Sequence, residues 1–447
     1  MSDPGTKSLH ALSAADAFAN AKANKLRAYP SPERGGDRLY PLASPSAKPS
    51  FQMAQTDTVF TIGSCFARNV EAALMDVGLT VTSQETDLGP VGDSLGFTAN
   101  FFNKYAIHSI YNDLKWALER DTDPGDAAIY PMHKDGMYAD LQLGMPKLEF
   151  PIADIREFRS RYLDVMARAA DADVIIITLG YVETWFDNEL GIYLNTSPPQ
   201  PMIRAQPDRF EFRVLSYNDV LQALHDVHAL LLKHRTKPLK MLVTVSPVPL
   251  LATFRDMDVL LANTYSKSVQ RAAIDEFVRD VEGVDYFPSY EFVILSDPNM
   301  AWSRKDYRHP NSDLVARIMS NVVAQYVEGH TTPQAVTVDG LIAAARMLYK
   351  QDDYEAVIKL GAKHGDLFDS SDDLLVMLGN AHVKENNMQT AYETFEAAHA
   401  FAPTKSAPLE RLIRLCRPIG AKDRAAELLE RHKVLFPDRQ AYRDKLG

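Results

Sequence analysis

The sequence predicts an α/β domain built on a mostly parallel sheet, followed by an all-α unit of tetratricopeptide-like helical repeats. Three observations carry this. Val174-Ile175-Ile176-Ile177-Thr178-Leu179 is an unbroken, largely β-branched run, as expected of a strand covered on both faces. From residue 58 to about 330, short apolar runs alternate with longer stretches of helical spacing. Beyond residue 335, small and apolar residues recur at an interval of 34 positions.

The elements follow in order. Residues 1–50 form an arm: a short helix near Ala11–Ala23, then Pro30, Pro32, Gly35, Gly36, Pro41, Pro45 and Pro49, a density that blocks both helix and ladder pairing. Such a segment either lies over the domain or has no fixed structure. Residues 51–330 form the α/β domain. Thr58–Ile62 reads as its first strand, and Ala67, Val70, Leu74 and Val77 then recur at helical spacing. Ser216, with Asp219 three residues on, marks the start of a helix carrying Leu221, Leu224, Val227 and Leu231. Met241–Val245 is a second buried strand, stopped by Ser246-Pro247-Val248-Pro249, and a helix over 258–280 and a short strand Val284–Phe287 follow. A last helix covers Leu314–Val327. In residues 335–447, Leu375, Leu378, Ala391, Phe395 and Pro403 return as Leu409, Leu412, Ala425, Leu429 and Pro437, with a looser earlier copy over 338–371. This is the spacing of tetratricopeptide helix pairs, in which small residues let two helices touch and a proline ends the second. The other reading is a generic helical bundle.

Composition excludes several functions. With 48 Lys and Arg against 59 Asp and Glu, the net charge is −11, and no dense basic tract exists to grip nucleic acid or an anionic membrane. Two cysteines, Cys65 and Cys416, cannot build a disulfide framework or a thiolate zinc site. No apolar run reaches membrane-spanning or signal-peptide length, so a reducing, cytoplasmic setting is expected. No cofactor is indicated: Gly89, Gly92 and Gly96 are too scattered for a phosphate cradle, and His309, Asp306 and Asp313 have no second histidine at metal-ligand spacing.

Parallel sheets place ligands beyond the carboxyl ends of their strands, so chemistry is sought there. In Phe60-Thr61-Ile62-Gly63-Ser64-Cys65-Phe66-Ala67 a strand runs into a turn and a helix starts at once. Ser64 there would expose its hydroxyl to attack a carbonyl, with the helix N-terminus stabilising the oxyanion. Otherwise Ser64 caps the helix. Cys65 is the competing nucleophile, though a free cysteine opening a helix is expected to turn into the core. Among twelve histidines the best base is His309, in Asp306-Tyr307-Arg308-His309-Pro310, where Asp306 can hold Nδ1–H and leave Nε2 to take a proton. His108 and His133 are rivals without a comparable carboxylate, and His225 and His228 lie on a helix face as surface or packing residues. Gly180, after the 174–179 strand, would let substrate approach the backbone, with its amide and that of Ser64 as oxyanion donors. Asn103 could add a side-chain amide or merely cap a loop, and Glu183 and Trp185 could line the pocket or belong to the core.

Ile62-Gly63-Ser64-Cys65-Phe66-Ala67 contains the signature of the GSCFA family, which this chain resembles. Phe101-Phe102-Asn103, Thr178–Trp185, Val245–Leu250, Asn263–Ser268 and Tyr286–Glu291 are similar to further blocks of that family, over roughly residues 35–330. The family's domain looks like a branch of the SGNH/GDSL hydrolases. The resemblance implies a flavodoxin-like three-layer sandwich and a serine acyl-ester hydrolase or O-acyltransferase, with Ser64, Asp306 and His309 at the positions of its triad. A glycan or other small ester would be the substrate, and the repeats would bind a protein partner. Two departures stand out: Gly63 takes the place of the usual Asp before the serine, and Val182 that of the usual Asn, an oxyanion donor whose loss typically lowers rate by ~10²–10³. The alternative is a non-catalytic adaptor, the front domain binding a ligand and the repeats docking a protein.

Overall fold

The computed structural model describes residues 11–31, 34–84, 87–89, 91–92, 102–132, 136–143, 149–330, 338–350 and 352–444. The chain divides into two compact units, Met1–His330 and Thr331–Gly447.

The first unit is built on five parallel strands, β1 (Thr58–Gly63), β2 (Thr80–Val81), β3 (Val174–Leu179), β4 (Lys240–Val245) and β5 (Val284–Tyr286). Their order across the sheet is 2-1-3-4-5, a doubly wound arrangement whose ligand crevice lies where the order reverses, beside β1 and β3. Register sets the crevice floor: Gly63 lies opposite Thr178, and Leu179 opposite Val245. Alternate residues of each strand face opposite sides. Phe60, Ile62, Ile175, Ile177, Met241 and Val243 pack against one helical layer, formed by α2 (Ile107–Leu118), α3 (Ile152–Ala167), α4 (Tyr217–His234) and α5 (Val259–Asp280). Val59, Val174, Ile176 and Leu242 pack on the other side, against α1 (Ala67–Asp76) and α6 (Ser312–Tyr326). Ser216 and Asp219 form the reciprocal cap expected at the start of α4.

The sequence reading missed three pieces. β2 is only two residues long. A hairpin pairs Ile129–Pro131 with Tyr138–Asp140. A three-stranded antiparallel sheet of Glu183–Asp187, Ile192–Leu194 and Phe210–Val214 follows β3 directly. Of the two outcomes left open for the N-terminal arm, its second half takes the first. The Ala43 N–H donates to Ser296 Oγ at 2.8 Å, the Ser50 N–H to Asp285 Oδ2 at 2.8 Å and the Met53 N–H to the Tyr326 carbonyl at 2.6 Å, tying 43–53 to the α6 side.

The second unit is all helical among its described residues, with main helices Val338–Lys350, Tyr354–Lys363, Asp372–Lys384, Met388–Phe401, Ser406–Cys416 and Lys422–Leu435. Gly379 lies so close to Phe395 that a β-carbon there would meet the ring at 2.5 Å. A short extra helix, Gly365–Asp369, separates the second helix from the third. Among the described residues no helix is long and apolar enough to cross a membrane.

Candidate active site beyond the strand ends

The turn from β1 into α1 is fixed on both sides. Gly63 has φ 135°, a backbone region L side chains avoid, and its carbonyl accepts the Lys104 N–H at 2.7 Å. This pairing brings Asn103 alongside Gly63. Behind the 102–105 segment the buried Lys104 Nζ pairs with Asp113 at 2.6 Å, and the Tyr162 hydroxyl donates to the same carboxyl at 2.6 Å. Burial pushes the Asp113 carboxyl up, against the pull of Lys104. On the other side Glu71 of α1 accepts from Ser83 Oγ at 2.8 Å and from Thr61, and pairs with Arg68 at 2.9 Å. Buried polar groups with their partners in place hold the turn to one geometry.

Within that turn two neighbours face different ways. Ser64 is 2% exposed; its hydroxyl meets Thr178 Oγ1 at 3.3 Å and accepts weakly from the Phe66 N–H at 3.4 Å. The hydroxyl is therefore not the exposed group expected from sequence, because the β1–β3 register presses it onto Thr178. Cys65, expected in the core, is instead half-buried. Its sulfur lies in the electrostatic reach of Arg308, Lys267 and Arg68, in that order, while burial pushes the thiol's pKa up. Tyr105 feels both Cys65 and Arg308, as does Tyr181, and the two tyrosine rings stack at 5.1 Å.

Lys267 and Arg308 were not singled out by the sequence reading. Lys267, on α5, is wholly buried and donates to the carbonyls of Gly180, Ser246 and Val248 at 2.6–2.9 Å. It thus links the ends of β3 and β4. Burial pulls its pKa down to about 7, with Cys65 pulling the other way, and three carbonyl acceptors favour the ammonium. A lysine on the inward face of an amphipathic helix, inside Asn263–Ser268, was the available signal. Arg308 Nε donates to the Pro249 carbonyl at 3.0 Å, which carries the 306–309 loop to the end of β4.

In that loop Tyr307 adopts φ 51°. This lets Asp306 Oδ1 accept the Arg308 and His309 amides, each at 3.1 Å, while Oδ2 accepts His309 Nδ1–H at 2.5 Å. The imidazole holds the Asp306 carboxyl far below the usual carboxylate range. The His309 side chain is half exposed, so Nε2 faces outward from an oriented ring. No hydrogen bond joins His309 to Ser64.

The other sequence candidates divide. The Gly180 N–H donates to the Tyr105 carbonyl at 2.8 Å and the Ser64 N–H to the Thr178 carbonyl at 2.9 Å, so neither amide points freely into the crevice. The Cys65 N–H makes no hydrogen bond to another described residue. The Asn103 carbonyl accepts from Asn195 Nδ2 at 2.9 Å. Glu183 accepts from Thr253 Oγ1 at 2.8 and 2.9 Å, and Trp185 packs edge-on against Phe212 and Phe254. Both therefore brace the segment after β4. That segment exposes Leu251 and Phe254. His108 packs on the Tyr193 ring at 4.2 Å and burial pulls its pKa down to about 4. His225 and His228 pack against Phe277. Phe101, Gly96 and His133 lie outside the described residues. Among the described residues no three His, Cys, Asp or Glu side chains gather at metal-binding range.

The chain matches none of the curated proteins. The sequence model of the GSCFA family matches residues 58–322, the span that holds every strand of the parallel sheet, the Gly63–Phe66 turn and the Asp306–His309 pair. That match covers more than half of the 447 residues, and the chain belongs to the GSCFA family.

Proposed function

We propose that the front domain transfers an acyl group from an ester through a covalent intermediate formed on the β1–α1 turn. The fold would be of the SGNH type, with His309 as base and Asp306 as its orienter. The observation that carries this reading is the Asp306–His309 pair, whose loop is clamped to the end of β4 by Arg308, a residue in electrostatic reach of the turn. In the reaction His309 Nε2 takes the proton of the attacking group, and Asp306 stabilises the imidazolium and fixes the ring. His309 then hands the proton to the departing alkoxide. The incoming hydroxyl, from water or a sugar, is deprotonated by the same nitrogen and releases the acyl group. The Cys65 amide, next to the helix N-terminus, is the donor best placed for the oxyanion, given that those of Ser64 and Gly180 already have acceptors.

The substrate class proposed is an acylated carbohydrate or similar small ester, acted on in the cytoplasm. The C-terminal helices are read as tetratricopeptide-like pairs that dock a protein partner, a reading supported by the Gly379–Phe395 contact at the repeat's small-residue position.

The test is hydrolysis of p-nitrophenyl acetate by the full chain. His309→Ala is expected to lower kcat/KM by ~10²–10⁴. Added sugar acceptors that yield acylated product would assign transfer rather than hydrolysis. Absence of both turnover and a covalent adduct in the unaltered protein would favour a ligand-binding adaptor.

A further inference from the structure

Three features of the β1–α1 turn concern which side chain attacks. Ser64 is buried, and its hydroxyl is engaged with Thr178 behind the turn. Cys65 is half-buried and belongs to a cluster drawn from four separate segments: Arg308, Lys267, and the stacked Tyr105 and Tyr181. The amide beside the sulfur has no acceptor among other described residues, whereas the Ser64 and Gly180 amides do.

An independent observation marks this end of the sheet as built for a ligand. Thr244, one residue before the end of β4 and in register with Thr178, is 2% exposed, and its hydroxyl has no hydrogen-bond partner. Ser289, just past β5, is 1% exposed and its hydroxyl is likewise without a partner. Buried hydroxyls left in this state at strand ends have capacity for a group the protein itself does not supply.

We propose that Cys65, not Ser64, is the nucleophile that carries the acyl group. This rests on the acyl-transfer reading above and names the attacking atom within it. His309 Nε2 removes the thiol proton and the sulfur attacks the ester carbonyl. The C–S bond forms while the carbonyl π pair moves to oxygen. Collapse of the tetrahedral species breaks the C–O bond, and the leaving alkoxide takes the proton from His309. A thioester remains. Water or an acceptor hydroxyl, deprotonated by His309, then attacks it; the C–S bond breaks, and the thiolate recovers the proton from the imidazolium. Nothing is oxidised or reduced. The Arg308 and Lys267 cations stabilise the thiolate when it forms, and burial keeps the resting sulfur protonated. Ser64 is a positioning residue, which pins the turn to β3 through Thr178.

The experiment uses the full chain with Cys416→Ala, so that Cys65 is its single thiol. Turnover of p-nitrophenyl acetate, the acid-trapped adduct and the rate of alkylation by iodoacetamide are measured together. The expected result has four parts. Alkylation of Cys65 and loss of turnover share one rate constant. The trapped adduct is a thioester cleaved by neutral hydroxylamine. His309→Ala slows both alkylation and turnover. Ser64→Ala still forms the thioester, and the near-isosteric Cys65→Ser shifts the adduct to an oxygen ester. Turnover that survives full alkylation or Cys65→Ala, with the acyl group on Ser64, would overturn the assignment and leave the acyl-transfer reading intact. No ester turnover, but rapid alkylation that depends on His309, would support the nucleophile and overturn the ester as its target. No turnover, with Cys65 alkylating no faster than N-acetylcysteine, would overturn both.

Discussion

Gly63 backs directly onto Thr178: a β-carbon at Gly63 would meet the Thr178 carbonyl oxygen at 2.1 Å and its hydroxyl at 2.6 Å. Those atoms belong to the middle of a parallel sheet and cannot withdraw. The contact lets the chain leave β1 at a sharp angle and present Cys65 instead of Ser64 to the crevice. Gly63→Ala combines overpacking with a disfavoured φ, and it is expected to destabilise the fold by ~2–4 kcal/mol, read as a lower urea midpoint. An unchanged midpoint would mean that the turn has slack.

Lys267 offers a second test, because one ammonium serves three carbonyls from two strand ends. Lys267→Met keeps most of the side-chain volume and leaves those acceptors without a donor. Unsatisfied buried acceptors cost ~1–3 kcal/mol each, partly relieved by water or relaxation. The expected outcome is a loss of ~2 kcal/mol or more in urea unfolding together with slower alkylation of Cys65. A stable protein with unaltered thiol reactivity would remove Lys267 from the site.

His108 makes stability depend on pH. Its pKa is about 4 in the fold against an ordinary 6.5, because burial disfavours the imidazolium. The unfolded chain therefore takes up a proton first as pH falls. Stability from this residue is fully present above pH 6.5 and is lost progressively between 6.5 and about 4. The urea midpoint should fall between pH 7 and pH 5 by more in the unaltered protein than in His108→Phe. Parallel curves for the two proteins would contradict the assignment.

In the second unit, Gly379→Ala places a methyl against the Phe395 ring. Overpacking of this kind costs ~1–3 kcal/mol. The helical unit's melting transition, followed by circular dichroism, should move down accordingly. No shift would show that the two helices can separate without loss.

The sheet was legible because its interior strands leave no choice. Val174–Leu179 and Met241–Val245 are too apolar and too β-branched for anything but a strand covered on both faces. The cap at Ser216 was legible for a local reason, since its two hydrogen bonds lie within three residues. Glu183–Asp187 and Phe210–Val214 escaped notice because charged residues interrupt them, and they pair only with each other and with Ile192–Leu194. In the site, the Asp306–His309 bond followed from spacing, as any interaction three residues apart can. The facing of Cys65 did not. It depends on the φ of Gly63 and on a register with Thr178 across 115 positions, neither of which composition encodes. Lys267 and Arg308 were missed for the same reason: each reaches the strand ends from a distant segment.

The most direct test is to mix the full chain with excess p-nitrophenyl acetate, quench in acid within the first turnover and map the acylated peptide by mass spectrometry. One acyl group per chain is expected on the peptide that carries Gly63–Phe66, with its formation slowed in His309→Ala. An acyl group elsewhere in the chain, or none while p-nitrophenol is still released, would contradict a covalent site on the β1–α1 turn.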